Sequence, residues 1–123
     1  NGHSGLGANI RALAQKGRWV AGQYAMVFMN GCDTYAYVDS ELADAHAAVN
    51  YDDPNGTKYL DIITNAMPAP ATYSSRNTLV LTQALLAYDN PMTYEQIFEK
   101  FNRSQVVLVS GEEDNTFTPS GTF

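Results

Sequence analysis

The most informative stretch of the sequence is Tyr24-Ala25-Met26-Val27-Phe28-Met29-Asn30-Gly31-Cys32-Asp33, which contains the chain's only cysteine. The run from Tyr24 to Asn30 is too short for a lone helix and is typical of a strand covered on both faces. Ligands and catalytic groups of parallel sheets lie just beyond the carboxyl ends of the strands. Cys32 falls at that point, so the stretch predicts a buried strand that presents a thiol.

The composition limits the classes of protein to which the chain can belong. Its 123 residues suffice for one small domain, and an apolar fraction of 45% is that of a globular protein. The net charge of −6 disfavours nucleic acid or an anionic membrane as a partner. No apolar run approaches the roughly 18 residues that span a bilayer. A single cysteine cannot form an internal disulfide, so it does not indicate whether the protein resides in an oxidising or a reducing compartment. The low lysine content weakly favours a secreted or periplasmic protein.

Glycine, proline and hydrophobic periodicity predict that helices and strands alternate along the chain. Three glycines indicate a loop over residues 1–7. Helices are predicted at 8–16, from Asp39 or Ser40 to about Val49, at 58–65, at about 75–88, and from a capping box at 93–96 towards Phe101. A second buried strand is predicted at 105–109. The pattern is that of an α/β protein.

The number of predicted strands is small for this class. Only two strong strands are visible, with a possible stub at Asn1, and two parallel strands do not form an independent sheet. We therefore expect the chain to be part of a larger sheet domain, with its earlier strands upstream of Asn1.

The candidate chemical groups are one thiol and two imidazoles. A lone cysteine is more often a small buried hydrophobe than a reagent, but the strand end and glycine before Cys32 favour an exposed elbow. A catalytic thiol also requires a base, because the thiolate is the nucleophile. His46 lies in an alanine-rich helical segment and is expected to face solvent. His3 lies in the predicted opening loop, where a preceding strand would end, and is expected at the same sheet edge as Cys32.

These two sites resemble the marks of the caspase-like clan of cysteine peptidases, which includes caspases, metacaspases, legumains, gingipains and separases. The clan has a hydrophobic strand that ends in His-Gly, and a later one that ends in a small residue and the catalytic Cys. The corresponding segments here, in the same order, are Gly2-His3-Ser4-Gly5 and Met26-Val27-Phe28-Met29-Asn30-Gly31-Cys32. Ser4 stands where many members have Gly. The separation of His3 and Cys32 is shorter than the roughly 50 residues of caspases and nearer to gingipain-like bacterial members.

The resemblance implies a fold and an assembly. Residues 1–123 would be the His- and Cys-bearing, C-terminal part of a single caspase-like domain, a three-layer α/β/α sandwich with a mainly parallel sheet. An upstream segment of the same precursor, separated by self-processing or by truncation, is expected to pair with the strand at 24–30. Without it, an open sheet edge would favour aggregation.

The resemblance also implies a chemistry, that of a cysteine endopeptidase acting on a polypeptide substrate without a cofactor or metal. Cys32 would attack the scissile carbonyl to form a thioester, and His3 would protonate the leaving amine. Backbone N–H groups of Cys32 and of Ser4 or Gly5 would stabilise the oxyanion.

Acidic residues on predicted loops suggest a substrate preference. Asp33, Asp39 and the group Glu112-Glu113-Asp114 would form a pocket for a basic side chain, as acidic pockets do in gingipains and metacaspases. This interpretation predicts Arg or Lys on the acyl side of the cleaved bond, although simple solvation of these loops is the favoured alternative. The loop at 52–57 carries oxygen ligands suited to Ca²⁺, but its spacing fails the EF-hand pattern and a plain turn is favoured.

Two other classes of protein remain open on the sequence. One is a non-catalytic caspase-like subunit or binding module. The other is an unrelated α/β domain in which Cys32 is an inert part of the core. The reactivity of the thiol separates both from a peptidase, because a buried cysteine resists alkylation until the protein unfolds.

Overall fold

The computed structural model describes the backbone of residues 3–111 and the side chains of residues 5–111. Helices and strands alternate along this part of the chain, in the order α1 (His3–Lys16), β1 (Ala25–Met29), α2 (Glu41–Ala47), β2 (Leu60–Asn65), α3 (Ser74–Leu85), α4 (Tyr94–Phe98) and β3 (Val107–Gly111). Short 3₁₀ helices occupy Thr34–Tyr37 and Ala71–Tyr73. None of the described helices is long and apolar enough to cross a membrane.

The three strands form one mixed sheet in the order β1-β2-β3. β1 and β2 are parallel, with Ala25 opposite Leu60, whereas β2 and β3 are antiparallel, with Asp61 opposite Gly111. The predicted α/β class is confirmed. The sheet is mixed, because one of its two ladders is antiparallel.

Helices cover both faces of this sheet, because β2 directs alternate side chains to opposite faces. Leu60 and Ile62 pack with residues of α1 and α2. Ile63 packs on the other face with Leu81 of α3 and Ile97 of α4. The sheet is thus the middle of three layers, with an apolar cluster on either side.

The helix predicted at 58–65 is wrong, because Leu60–Asn65 is the central strand β2. Apolar residues at 60, 62 and 63 fit a helix face as well as a strand, so the period is ambiguous over so short a segment. All six residues of β2 are buried between its two neighbouring strands. Its β-branched side chains Ile62, Ile63 and Thr64 suit such a site, so tertiary context decides the structure.

The loop predicted at 1–7 is wrong from residue 3 onwards, because α1 begins at His3. Gly5 and Gly7 do not have positive φ values, so neither uses the backbone freedom on which the prediction rested. Leu6 and Ile10 lie one turn apart and pack together on the core, which favours extending the helix through the glycines. The helix predicted at 8–16 does end at Lys16.

The capping box predicted at 93–96 is confirmed. The Thr93 hydroxyl accepts a hydrogen bond from the Gln96 N–H at 3.3 Å, and the Gln96 side chain accepts one from the Thr93 N–H at 3.0 Å. This reciprocal pair satisfies two backbone donors at the start of α4. The strands predicted at 24–30 and 105–109 correspond to β1 and β3, although β3 is only partly buried.

Candidate functional site

Cys32 lies just beyond the end of β1, after Asn30 and Gly31, in a turn fixed by buried polar side chains. The Thr34 hydroxyl donates to the Met29 carbonyl at 2.8 Å and accepts the Asn65 N–H at 2.8 Å. The Asn65 side-chain amide donates to the Gly31 carbonyl at 3.0 Å. Thr34 and Asn65 are 3% and 1% exposed, so these bonds are shielded from water. The thiol is therefore carried by a turn that is tied to the end of β2.

The same turn is also tied to the start of α3. The Asn30 side-chain amide donates to the Ser74 carbonyl at 2.9 Å and lies 3.2 Å from its hydroxyl. Sequence reasoning missed the roles of Thr34, Asn30 and Asn65. Asn-Gly before the cysteine indicates a turn, but Asn65 could not be paired with it while the segment around it was interpreted as a helix.

Asp33 adopts a left-handed backbone conformation immediately after the thiol. Its φ is 51°, a region that Asp tolerates better than most residues. Its N–H donates to the Met67 carbonyl at 3.3 Å. The Asp33 side chain is exposed and does not line the cleft described next.

A cleft of about 580 Å³ opens beside Cys32. This volume lies within the roughly 300–1,000 Å³ range of ligand pockets. The described residues that line it are Leu6, Ile10, Val27, Phe28, Met29, Asn30, Gly31, Cys32, Thr34, Ala69, Pro70, Ala71 and Ser74. None of these side chains carries a full charge, and most are apolar.

The thiol is half-buried at this cleft and acts as a hydrogen-bond donor. The Cys32 Sγ lies 3.2 Å from the Ala69 carbonyl oxygen, to which it donates. A thiolate at that distance would face the negative end of the carbonyl dipole, so this arrangement suits the protonated form. No described residue accepts a hydrogen bond from the Cys32 N–H. The role of that N–H as an oxyanion donor stays a prediction.

The first turn of α1 lies at the same cleft, because Leu6 lines it together with Cys32. His3 is the first residue of this helix, and the side chains of His3 and Ser4 lie outside the described residues. The first four N–H groups of a helix have no acceptor within it. The backbone donors of Ser4 and Gly5 therefore belong to an end of α1 that adjoins the cleft.

Of the acidic residues predicted to bind substrate, the structure describes the side chains of Asp33 and Asp39, and neither lines the cleft. Asp39 is exposed, and its carboxylate accepts the Ser40 N–H at 2.8 Å. Glu112, Glu113 and Asp114 lie outside the described residues. The proposed basic-residue pocket stays a prediction.

The loop at 52–57 has the hydrogen bonding of a turn. The buried Asp53 carboxylate accepts the N–H groups of Thr57 and Lys58, each at 3.1 Å. The Asp52 carboxylate pairs with the Lys58 ammonium at 2.5 Å, and this hydrogen bond lowers the pKa of Asp52. Among residues with described side chains, no group of three potential metal ligands comes together.

The expectation that His46 faces solvent is wrong. This side chain is 2% exposed, and its ring lies 4.7 Å from the Trp19 ring, centroid to centroid. Neither ring nitrogen has a hydrogen-bond partner among the described residues. Burial lowers the pKa of His46, and the nearby charge of Asp53 opposes this effect. The alanines of α2 are uninformative about which face is buried, so the sequence did not reveal this.

We expect the burial of His46 to make stability depend on pH. The unfolded chain binds a proton at His46 near its ordinary pKa of 6.5, whereas the folded protein resists it until a lower pH. The neutral, buried ring of His46 therefore contributes its full share of the free energy of unfolding above pH 6.5. That share is lost as the pH falls towards the lower pKa of the folded state. Urea unfolding at pH 7.5, 6.5 and 5.5 checks this, and His46→Leu should remove the extra slope. An identical slope in that variant would contradict the interpretation.

We also expect the Thr34 hydroxyl to hold the cysteine turn. Thr34→Val removes a donor and an acceptor and leaves the buried Asn65 N–H without this partner, which costs about 1–3 kcal/mol. Thr34→Ser keeps the hydroxyl and is the matched control. Urea unfolding should show the valine variant to be the less stable of the two. Equal stabilities would indicate that these hydrogen bonds contribute little.

Comparisons with known proteins do not assign the chain to a family. No family model, curated protein or solved structure matches it.

Proposed function

We propose that this chain carries the nucleophile of a cysteine peptidase, with Cys32 as the attacking thiol and His3 as its acid and base. The observation that carries the proposal is the position of Cys32, half-buried beside a cleft at the carboxyl end of a sheet strand. Sites of α/β proteins lie at such edges. The resemblance of the sequence around His3 and Cys32 to the caspase-like clan supplies the reaction type.

The rigid turn supports a catalytic role for the thiol. A nucleophile must be held close to its productive geometry by neighbours that are themselves fixed. Thr34 and Asn65 fulfil this condition, since both are buried and donate hydrogen bonds to backbone carbonyls just before Cys32, those of Met29 and Gly31.

In the first step of the proposed reaction, His3 removes the proton from the Cys32 thiol. This removal ends the hydrogen bond from the thiol to the Ala69 carbonyl. The Cys32 Sγ then forms a bond to the scissile carbonyl carbon, and the developing oxyanion accepts the Cys32 N–H. The C–N bond breaks as His3 returns the proton to the leaving amine, which leaves a thioester. Water, deprotonated by His3, attacks the thioester carbonyl carbon; the C–S bond then breaks to release the acid product, and His3 returns the proton to the Cys32 sulfur.

Alkylation kinetics test this assignment without knowledge of the substrate. Iodoacetamide should modify Cys32 in the folded protein at neutral pH, and the rate should follow the titration of a second group. His3→Ala should remove that second titration, and His46→Ala is the matched control. A thiol that reacts only after unfolding in urea would overturn the proposal.

A substrate preference for Arg or Lys is a further part of the proposal. Because no acidic side chain lines the cleft in the described part of the chain, the preference would have to come from Asp33 or from residues 112–114. A fluorogenic peptide panel that varies the residue on the acyl side measures it. A preference for Asp or for a large apolar residue would contradict it.

A non-catalytic binding module is the second candidate, and one observation favours it. The bond from the Cys32 thiol to the Ala69 carbonyl suits a protonated, unreactive cysteine. This candidate predicts slow alkylation with a single titration, that of the thiol itself, in both the original chain and His3→Ala.

A further inference from the structure

The outer edge of β1 is lined by apolar side chains, and backbone groups there have no partner among residues 3–111. We propose that this edge binds an extended, uncharged polypeptide strand that adds to the sheet beside Ala25–Met29. The proposal goes beyond the peptidase assignment and does not depend on Cys32 being reactive.

The hydrogen-bonding pattern of β1 identifies the unpaired groups. The Ala25 N–H donates to the Tyr59 carbonyl at 2.8 Å, which sets the phase of the parallel ladder. Alternate residues of a strand bond to opposite sides, so Ala25 and Val27 bond to β2. The N–H and C=O groups of Met26 and Phe28 therefore point away from β2. Within residues 3–111, β1 pairs with β2 alone.

The cleft beside Cys32 continues along this edge as a groove. Val27 packs on the face covered by α1, and Phe28 packs on the face covered by α3 and α4. Both nevertheless line the same cavity, so the cavity lies at the edge of the strand rather than on one face. Leu6 and Ala71 form further parts of its wall. A strand placed here would have apolar neighbours on both faces.

The sequence of β1 is that of an interior strand. Natural edge strands carry Lys, Pro or bulges that prevent further pairing, whereas Ala-Met-Val-Phe-Met has none of these. Four of its five residues are only partly buried, while every residue of β2 is buried. Since none of the described side chains that line the groove is charged, we infer that the matching strand is uncharged and apolar on both faces. Such an occupant would bury the partly exposed side chains of β1.

Hydrogen exchange of individual amides tests the proposal directly. The probe is a short synthetic peptide of alternating valine and leucine with blocked termini and two uncharged glutamines at each end for solubility. At saturating peptide, exchange of the Met26 and Phe28 amides should slow by about tenfold or more. The Ala25 and Val27 amides, already bonded to β2, serve as internal controls and should change little. The same peptide N-methylated at alternate residues cannot pair and should have no effect.

A pair of surface variants tests the location of the peptide. Ala71 is exposed and lines the groove, whereas the exposed Thr72 next to it does not. Ala71→Glu should weaken peptide binding about tenfold by placing a charge against an apolar strand. Thr72→Glu adds the same charge outside the groove and should bind as the original chain does. Both variants should keep their stability, because both sites are exposed.

Several outcomes would overturn the proposal. One is peptide binding that leaves the Met26 and Phe28 amides unprotected, and another is equal binding of the N-methylated peptide. Protection without peptide that grows with protein concentration would identify a second copy of the chain as the occupant. Protection without peptide at low concentration would mean that the edge is already covered within the chain. Iodoacetamide reactivity is measured separately, so a failure here is distinguishable from a failure of the peptidase assignment.

Discussion

Replacement of Cys32 by alanine should abolish peptide hydrolysis and leave the fold nearly unchanged. The thiol would supply the bond to the substrate, and loss of a nucleophile typically lowers kcat by about 10³-fold or more. The side chain is half-buried, and the structure shows one hydrogen bond from it, to the Ala69 carbonyl. The loss of stability should therefore be small. Hydrolysis of a fluorogenic peptide mixture and urea unfolding of the same preparation measure the two effects.

Matched variants separate a catalytic effect from a structural one. His3→Ala should lower hydrolysis by a similar factor, because a nucleophile and its base act as one unit. His46→Ala should weaken the fold by removing a buried ring yet retain hydrolysis in the molecules that remain folded. Full activity in a clean preparation of Cys32→Ala would end the peptidase assignment.

Replacement of Gly56 by alanine should destabilise the protein more than any other alanine substitution of a described glycine outside the sheet. Gly56 has a φ of +68°, and a Cβ atom there would lie 1.8 Å from the Ala43 carbonyl oxygen. The left-handed backbone alone costs a non-glycine residue about 1–2 kcal/mol. Because the obstructing atom belongs to the backbone of α2, the loop or the helix must also move, which adds about 1–3 kcal/mol. The free energy of unfolding, measured in urea, should fall by about the sum of the conformational cost and the steric cost.

Gly22→Ala is the control that isolates the steric part. Gly22 has a similar φ of +73°, but a Cβ atom there would meet nothing within 4 Å. This variant should lose only the conformational part, about 1–2 kcal/mol. Equal losses in the two variants would show that the loop at 52–57 moves without cost, and the close approach of Gly56 to α2 would then be unimportant.

Local sequence signals with a single physical meaning predicted structure well. The apolar run at 24–30 predicted β1, and the arrangement of Thr93 and Gln96 predicted the start of α4 because a capping box satisfies its donors locally. The position of Cys32 at a strand end followed from the same run. These features depend on neighbours in sequence, so the sequence contains all the information needed.

Signals that depend on distant partners failed. The segment containing Leu60 and Ile62 fits either period, and the structure buries Asp61 within this strand. The structure shows why the carboxylate is tolerated, since the hydroxyls of Tyr24 and Tyr94 donate to it. These residues lie far apart in sequence, and only the tertiary fold brings them together.

The features of the candidate site also fall into two groups, those that the sequence determines and those that only the tertiary structure determines. The sequence by itself determines that the chain is acidic, globular and of the α/β class, and that a strand and a glycine lead to Cys32. Composition and short-range patterning are enough to fix these properties. The tertiary structure alone places Asn65 against the cysteine turn and buries His46 beside Trp19. It also leaves the outer edge of β1 without a described partner. Each of these depends on which elements become neighbours, and burial between elements outweighs the local preferences of short segments.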